Sequence, residues 1–155
     1  YKAADGIQSK GVEFELSASP AEGLPLSAAA THIVIEGDDL VKGFTPEHVV
    51  KLSAVQQLSV LPGARVGVDY RWQSAISRHQ GTVTPAFANA GQDIITTQSA
   101  YGLLGLMASY DVDAKWQLQL NANNLTNENY LNSLYWAQAY YGAPTHYSFS
   151  VSYMF

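Results

Sequence analysis

The end of the chain constrains its fold more than any other stretch. From Tyr147 onward, Tyr147, Phe149, Val151, Tyr153 and Phe155 occupy one parity and Ser148, Ser150 and Ser152 the other, with Met154 the one exception. Successive side chains of a strand point to opposite faces, so this segment has one aromatic and apolar face and one small polar face. Trp116, Leu118, Leu120 and Ala122 alternate in the same way with Gln117, Gln119, Asn121 and Asn123. So do Val12, Phe14 and Leu16 with Glu13, Glu15 and Ser17, and Val66, Val68, Tyr70 and Trp72 with Gly67, Asp69, Arg71 and Gln73. Period two recurring along a chain predicts an antiparallel sheet with unlike faces.

Three further segments read as strands with a less regular pattern. Leu24 to Val34 is rich in alanine, Val49 to Leu58 mixes periods, and Tyr101 to Tyr110 is apolar on both parities. Val50, Ala54 and Leu58 are spaced by four, which leaves a helix over Glu47 to Leu58 as the alternative there. The connections form a second pattern. Pro20-Ala21-Glu22-Gly23, Val60-Leu61-Pro62-Gly63 and Asp111-Val112-Asp113-Ala114 are short turns. Between them lie long links, Glu36 to Glu47, Ala75 to about Gln98, and Asn132 to Thr145. Short and long connections in alternation are the mark of up-and-down strands with one trimmed rim and one elaborated rim, as in transmembrane barrels.

Composition narrows the setting. Hydrophobic residues are 47% of the 155 and charged residues only 14%, where a soluble domain carries about 25% charged residues. The polar parities hold Ser, Gln and Asn with few charges, and aromatics stand at strand ends (Tyr110, Trp116, Tyr153, Phe155), where a membrane girdle would place them. A soluble sandwich or lipocalin-like barrel also alternates, with its apolar face turned to a core, and remains the alternative. A net charge of −5 without a Lys/Arg cluster excludes a nucleic-acid partner. The absence of cysteine excludes disulfides, thiolate metal sites and a cysteine nucleophile. The apolar stretch Ile94 to Tyr110 is broken by Thr96, Thr97, Gln98 and Ser99, short of the ~20 apolar residues of a spanning helix. Tyr1-Lys2-Ala3-Ala4-Asp5 carries neither an initiator Met nor an apolar signal core, so a processed chain or a fragment is expected.

Several stretches, in order, resemble the TonB-dependent siderophore receptors. Ser9-Lys10-Gly11-Val12-Glu13-Phe14-Glu15-Leu16 resembles their S-(K/R)-G-(V/F)-E-x-E strand, and Pro46-Glu47-His48-Val49-Val50-Lys51-Leu52 their P-x-H-x-x-K-L stretch. Arg71-Trp72-Gln73-Ser74 is similar to a W-x-S barrel strand, and Leu118 to Tyr130 to the L-x-x-N-x-x-N-L-F-D-K-x-Y signature. Tyr141-Gly142-Ala143-Pro144 and the ending Ser150 to Phe155 resemble a YGxPR loop and a terminal strand closing on Phe. Thr126-Asn127-Glu128 stands where Phe-Asp-Lys is usual, and Thr145-His146 where Arg follows the Pro; these departures bear on ligand identity more than on fold.

The resemblance implies an outer-membrane ferric-siderophore receptor working by TonB-coupled iron uptake, with outer-membrane lipid around it. Its partners would be a ferric siderophore and, through a plug region, TonB. Such receptors are several times longer, with a plug and about 22 strands in the barrel. Residues 1–155 therefore read as one domain fragment, the C-terminal part of a receptor barrel without the plug. The fold class expected is all-β, an antiparallel up-and-down transmembrane barrel segment of about seven strands, near residues 6–18, 23–36, 47–59, 64–76, 97–111, 115–131 and 145–155. A small autonomous outer-membrane barrel with a structural or adhesive role, and a soluble lipocalin-like binder, are the other readings.

Candidate sites are few. No Gly-x-Ser-x-Gly elbow or arguable Ser-His-acid order occurs, so no catalytic residue is named and no enzyme is expected. Glu13 and Glu15 read as hydrated, lumen-facing charges. His32, His48, His79 and His146 show no ligand spacing along the chain, so no metal site or cofactor is expected. The aromatic cluster Tyr135, Trp136, Tyr140 and Tyr141 lies in the last long link, on the outer side. It can stack on a flat ferric chelate or form an upper girdle and loop packing.

Overall fold

The computed structural model describes residues 6–37, 43, 45–134 and 140–155. Among the described residues there is no helix, and none long and apolar enough to cross a membrane, which does not bear on a barrel. Seven strands form one antiparallel sheet: β1 (Gln8–Ala21), β2 (Leu24–Glu36), β3 (His48–Gln57), β4 (Ala64–Gln73), β7 (Tyr101–Asp111), β8 (Trp116–Asn123) and β11 (His146–Tyr153), side by side in that order. A hairpin of β5 (Ile76–Thr82) and β6 (Asp93–Gln98) and a small pair of β9 (Leu131–Ser133) and β10 (Tyr140–Tyr141) stand apart from it. The seven strands fall where the sequence pattern and the spacing of the connections place them. The stretch from Glu47 is β3, not a helix.

Register carries the alternation across the whole sheet. Phe14 pairs with Ala30, which pairs with Val50, then Trp72, then Gly102. Phe149 pairs with Leu120, then Ala108, then Val66. One face is thus Val12, Phe14 and Leu16, then Leu52, Val68 and Tyr70, then Leu106, Leu120, Phe149 and Val151. The opposite face carries Glu13, Glu15, Lys51, Asp69, Arg71, Gln119, Asn121, Ser148 and Ser150. The apolar face is exposed, with Val12 70%, Phe14 57%, Tyr147 67% and Phe149 65% exposed. Burying such a side chain is worth about 1.5–3 kcal/mol each, so a face of this size left in water would be a severe aggregation liability. Hydrocarbon resolves it. β1 to β4 and β7 run 10 to 14 residues, the span of a strand tilted about 45° through a bilayer.

The mixed periods of β3 and β7 have a plain cause. Val55 faces inward because Gly67 opposite it leaves room: a Cβ on Gly67 would meet Val55 Cγ2 and Met107 Cε at 3.3 Å. Inner apolar residues of neighbouring strands pack on one another and blur the pattern locally.

The short connections share one rim. Glu22 and Gly23 join β1 to β2, with Gly23 at φ +70°, where L side chains are disfavoured. Between β7 and β8, Asp113 Oδ1 accepts from the amides of Lys115 (2.8 Å) and Trp116 (2.9 Å), an Asx-type turn. Aromatics collect beside it. Trp116 and Tyr153, a cross-strand pair, lie 4.6 Å apart, Phe155 meets Tyr153 edge-on at 5.3 Å, and Lys115 Nζ stands 5.9 Å over Tyr153. This is a girdle at the short-turn end. The long connections lie at the other rim. Among the described residues β1 and β11 each have a single neighbour, so the sheet carries two open edges.

Candidate functional site at the elaborated rim

Among the described residues most of the buried side chains lie at the rim with the long connections. Gln73 ends β4, Ile76 and Arg78 open β5, Gln98 ends β6, Tyr101 opens β7, Asn124 follows β8, and Leu134, 1% exposed, lies in the last link. They bind the long connections to one another. Leu131 N–H donates to Gln98 Oε1 (2.6 Å), and Arg78 Nη1 donates to the carbonyl of Leu134 (2.8 Å). The rings of Tyr101 and Tyr130 stack at 4.5 Å.

Asn124 is the pin of the last link. It adopts φ +49°, a left-handed conformation that asparagine tolerates better than most residues. Its Nδ2 donates to the carbonyls of Glu128 (2.9 Å) and Ala143 (3.0 Å), and its Oδ1 accepts from Glu128 N–H (2.8 Å). Thr145 Oγ1 donates to the Asn124 carbonyl (2.6 Å), and Thr145 N–H reaches Asn127 Oδ1 (3.3 Å). Gly142 closes over Tyr130, where a Cβ would enter the phenol ring, and its N–H donates to the Tyr130 carbonyl (2.8 Å). The Asn-rich signature and the Tyr-Gly-x-Pro stretch are thus one clamp.

Of the aromatic candidates, Tyr140 and Tyr141 lie on β10 beside β9 and are 60% and 79% exposed. Tyr135 and Trp136 lie outside the described residues.

Sequence reasoning missed a second feature, an open cleft of about 790 Å³ between the outer part of β2 and the β5–β6 hairpin. Ile33, Ile35, Ile76 and Ile95 form apolar walls, and Glu36, Glu47, His79 and Asp93 line it with polar groups. His79 Nε2 lies 3.0 Å from Asp93 Oδ1. The link from Ala75 holds a hairpin that no alternation marks, since Ile76 is the one apolar side chain of β5. Among the described residues no cluster of three or more His, Cys, Asp or Glu could hold a metal ion.

An outward apolar face, short turns at one rim and clamped long links at the other describe a barrel wall with an elaborated mouth. Residues 1–125 match the family model of the TonB dependent receptor-like β-barrel. The chain belongs to this TonB-dependent receptor family. The ferric-pyoverdine BN7/BN8 receptor of Pseudomonas putida is 28% identical over all of this chain and 18% of its own length. The ferripyoverdine receptor of Pseudomonas aeruginosa is 28% identical over 96% of the chain and 18% of its own length. The chain therefore spans less than a fifth of these relatives. Among solved structures, the pyoverdine outer membrane receptor FpvA of P. aeruginosa PAO1 superposes with a TM-score of 0.81 at 27% identity, over 96% of this chain and 22% of that one. The ferric-catecholate import receptor Fiu of E. coli, at 19% identity and a TM-score of 0.74 over 96% of the chain and 21% of its own, shares the fold.

Proposed function

We propose that residues 1–155 are a C-terminal wall segment of an outer-membrane receptor that takes up ferric siderophores by TonB-coupled transport. The observation that carries this reading is the seven-strand face of exposed apolar side chains backed by a polar face, with the long connections clamped at one rim. The apolar face meets lipid, the polar face lines the lumen, and the clamped rim stands outside the cell. Tyr140, Tyr141, Tyr135 and Trp136, with the cleft beside the β5–β6 hairpin, contribute to capture of the chelate at the mouth. The family relatives named for ferric pyoverdine make that chelate the first probe. TonB acts through parts of the receptor other than this wall.

The two open edges give the reading its structural demand. A row of unsatisfied N–H and C=O groups in hydrocarbon costs several kcal/mol per group, so β1 and β11 require further strands beside them. The test has two arms. In one, the chain replaces the equivalent segment of the P. aeruginosa ferripyoverdine receptor; the chimera should insert in the outer membrane and bind ferric pyoverdine. In the other, the chain alone is refolded in detergent; it should stay an open, association-prone sheet without tight chelate binding. A monodisperse, heat-resistant monomer that binds the chelate tightly would overturn the segment reading. A chimera that fails to insert would overturn the wall reading.

A further inference from the structure

His32 on β2 and His48, the first residue of β3, are direct cross-strand partners. Ile33 N–H donates to the carbonyl of Glu47 (2.9 Å), which makes His32 and His48 a non-hydrogen-bonded pair of the ladder. In such pairs the side chains approach most closely. The imidazole centroids lie 4.5 Å apart with a 31° tilt, and both residues are exposed. We propose that His32 and His48 form a two-imidazole site for a divalent first-row transition ion, with water completing the coordination.

The chemistry fits the position. Imidazole suits Cu²⁺, Zn²⁺ and Ni²⁺, with Cu²⁺ bound most tightly. Metal–nitrogen bonds of about 2.0–2.1 Å place two cis nitrogens about 3 Å apart, within reach of rings at this separation after rotation about χ2, a broad torsion for histidine. The backbone is already fixed, since His48 N–H donates to Ser74 Oγ (3.1 Å) and Ser74 N–H to the His48 carbonyl (2.9 Å). The second imidazole therefore binds without further loss of chain entropy. Water reaches the pair because it sits where the apolar face ends: Trp72 lies one row inward, and the Lys10–Glu36 ion pair (3.5 Å) stands farther out on β1 and β2. Nothing in the spacing along the chain reveals the site. The two histidines are sixteen positions apart in the chain, and only register joins them.

The test uses the chimeric receptor purified in detergent, with the unmodified P. aeruginosa receptor as background and Cu²⁺ alone as the probe, followed by electron paramagnetic resonance and by titration. One equivalent of Cu²⁺ should show the hyperfine pattern of two imidazole nitrogens. His32→Asn and His48→Asn, both at exposed positions, should each weaken binding about tenfold or more by removing the chelate partner and reduce the pattern to one nitrogen. His79→Asn and His146→Asn should leave both readouts unchanged. A single-nitrogen pattern in the parent chimera, affinity unchanged by His32→Asn or His48→Asn, or a two-nitrogen pattern that disappears with His79 or His146 would overturn the proposal.

Discussion

Phe149 in the wall and Leu134 at the rim are both large apolar side chains, yet 65% of Phe149 is exposed and only 1% of Leu134. The wall has no interior of its own. Its strands are tied by ladder hydrogen bonds, and its apolar side chains wait for lipid, so its stability depends on the solvent around it. The rim is built as a soluble protein is, with packed side chains and with the buried amides of Gln98 and Asn124 hydrogen-bonded. This chain thus combines two kinds of folding physics, and substitutions should separate them.

The largest effect is expected at the rim. Asn124→Ala removes three side-chain hydrogen bonds at a residue that is 4% exposed. It strands the Glu128 amide and two carbonyls and puts an alanine at positive φ, for a local cost of about 4 kcal/mol. Hydrogen exchange at Glu128, Leu131 and Thr145 should accelerate while the amides of β8 keep their protection. Loss of protection throughout β8 and β11 would mean that rim and wall fold as one unit.

Next comes the wall. Val151→Arg should cost about 2–4 kcal/mol near the membrane midplane, and Ser150→Arg about 0–1 kcal/mol. The measurement is the urea midpoint of the chimeric receptor in phospholipid vesicles. Equal costs at the two positions would show that the faces are assigned wrongly, or that the polar face packs against a solid core.

The same division explains what could be read from the sequence. In the wall each side chain answers to its strand and to a solvent that is apolar on one side and wet on the other, so alternation marks β1, β4, β8 and β11, while β2, β3 and β7 carry a weaker pattern. Where inner apolar residues find space, as Val55 does beside Gly67, the pattern blurred but the strand survived. At the rim, burial depends on distant partners. The hydrogen bond between Gln98 and Leu131, the Tyr101–Tyr130 stack and the roof of Gly142 over Tyr130 have no local period. The Asn-rich signature could be matched as a resemblance, but its work as a clamp emerges only once Ala143 and Thr145 are folded back onto it. The β5–β6 hairpin reads as part of a long link because its strands are short and carry polar residues on both faces. His32 and His48 are hidden from the sequence for a related reason, since the ladder brings them together across strands and their spacing along the chain does not.

A smaller effect is expected where the wall meets the short turns. Arg65 Nη2 lies 3.0 Å from both carboxylate oxygens of Asp111, and Arg65 Nε donates to Ser109 Oγ (3.2 Å). The ion-pair side chains are 34% and 43% exposed, so water screens the charges, and Gln117 still donates to Asp111 Oδ1 (2.7 Å) without the arginine. Arg65→Ala should therefore shift the vesicle unfolding free energy by no more than about 1 kcal/mol, and less at high salt. A loss of several kcal/mol would place this cluster in a drier lumen than its exposure indicates.

The smallest effect on stability is expected at Tyr141, and there the comparison reaches function. Tyr141 sits on the same rim as Leu134 but is 79% exposed. Its backbone belongs to the clamp, since it precedes Gly142, whereas its ring projects away from the packed layer. Exposed substitutions without a cap, core or ion-pair role stay within about 0.5 kcal/mol, so Tyr141→Ala should leave the urea midpoint of the chimera unchanged. If the ring helps to hold a flat ferric chelate, removing it costs a stacking contact worth about 0.5–1.5 kcal/mol. Affinity for ferric pyoverdine should then fall by about 2- to 13-fold at the same protein stability. Tyr141→Phe retains the ring and should retain the affinity. A destabilised protein would assign Tyr141 to loop packing, and unchanged affinity in Tyr141→Ala would remove it from the mouth of the site.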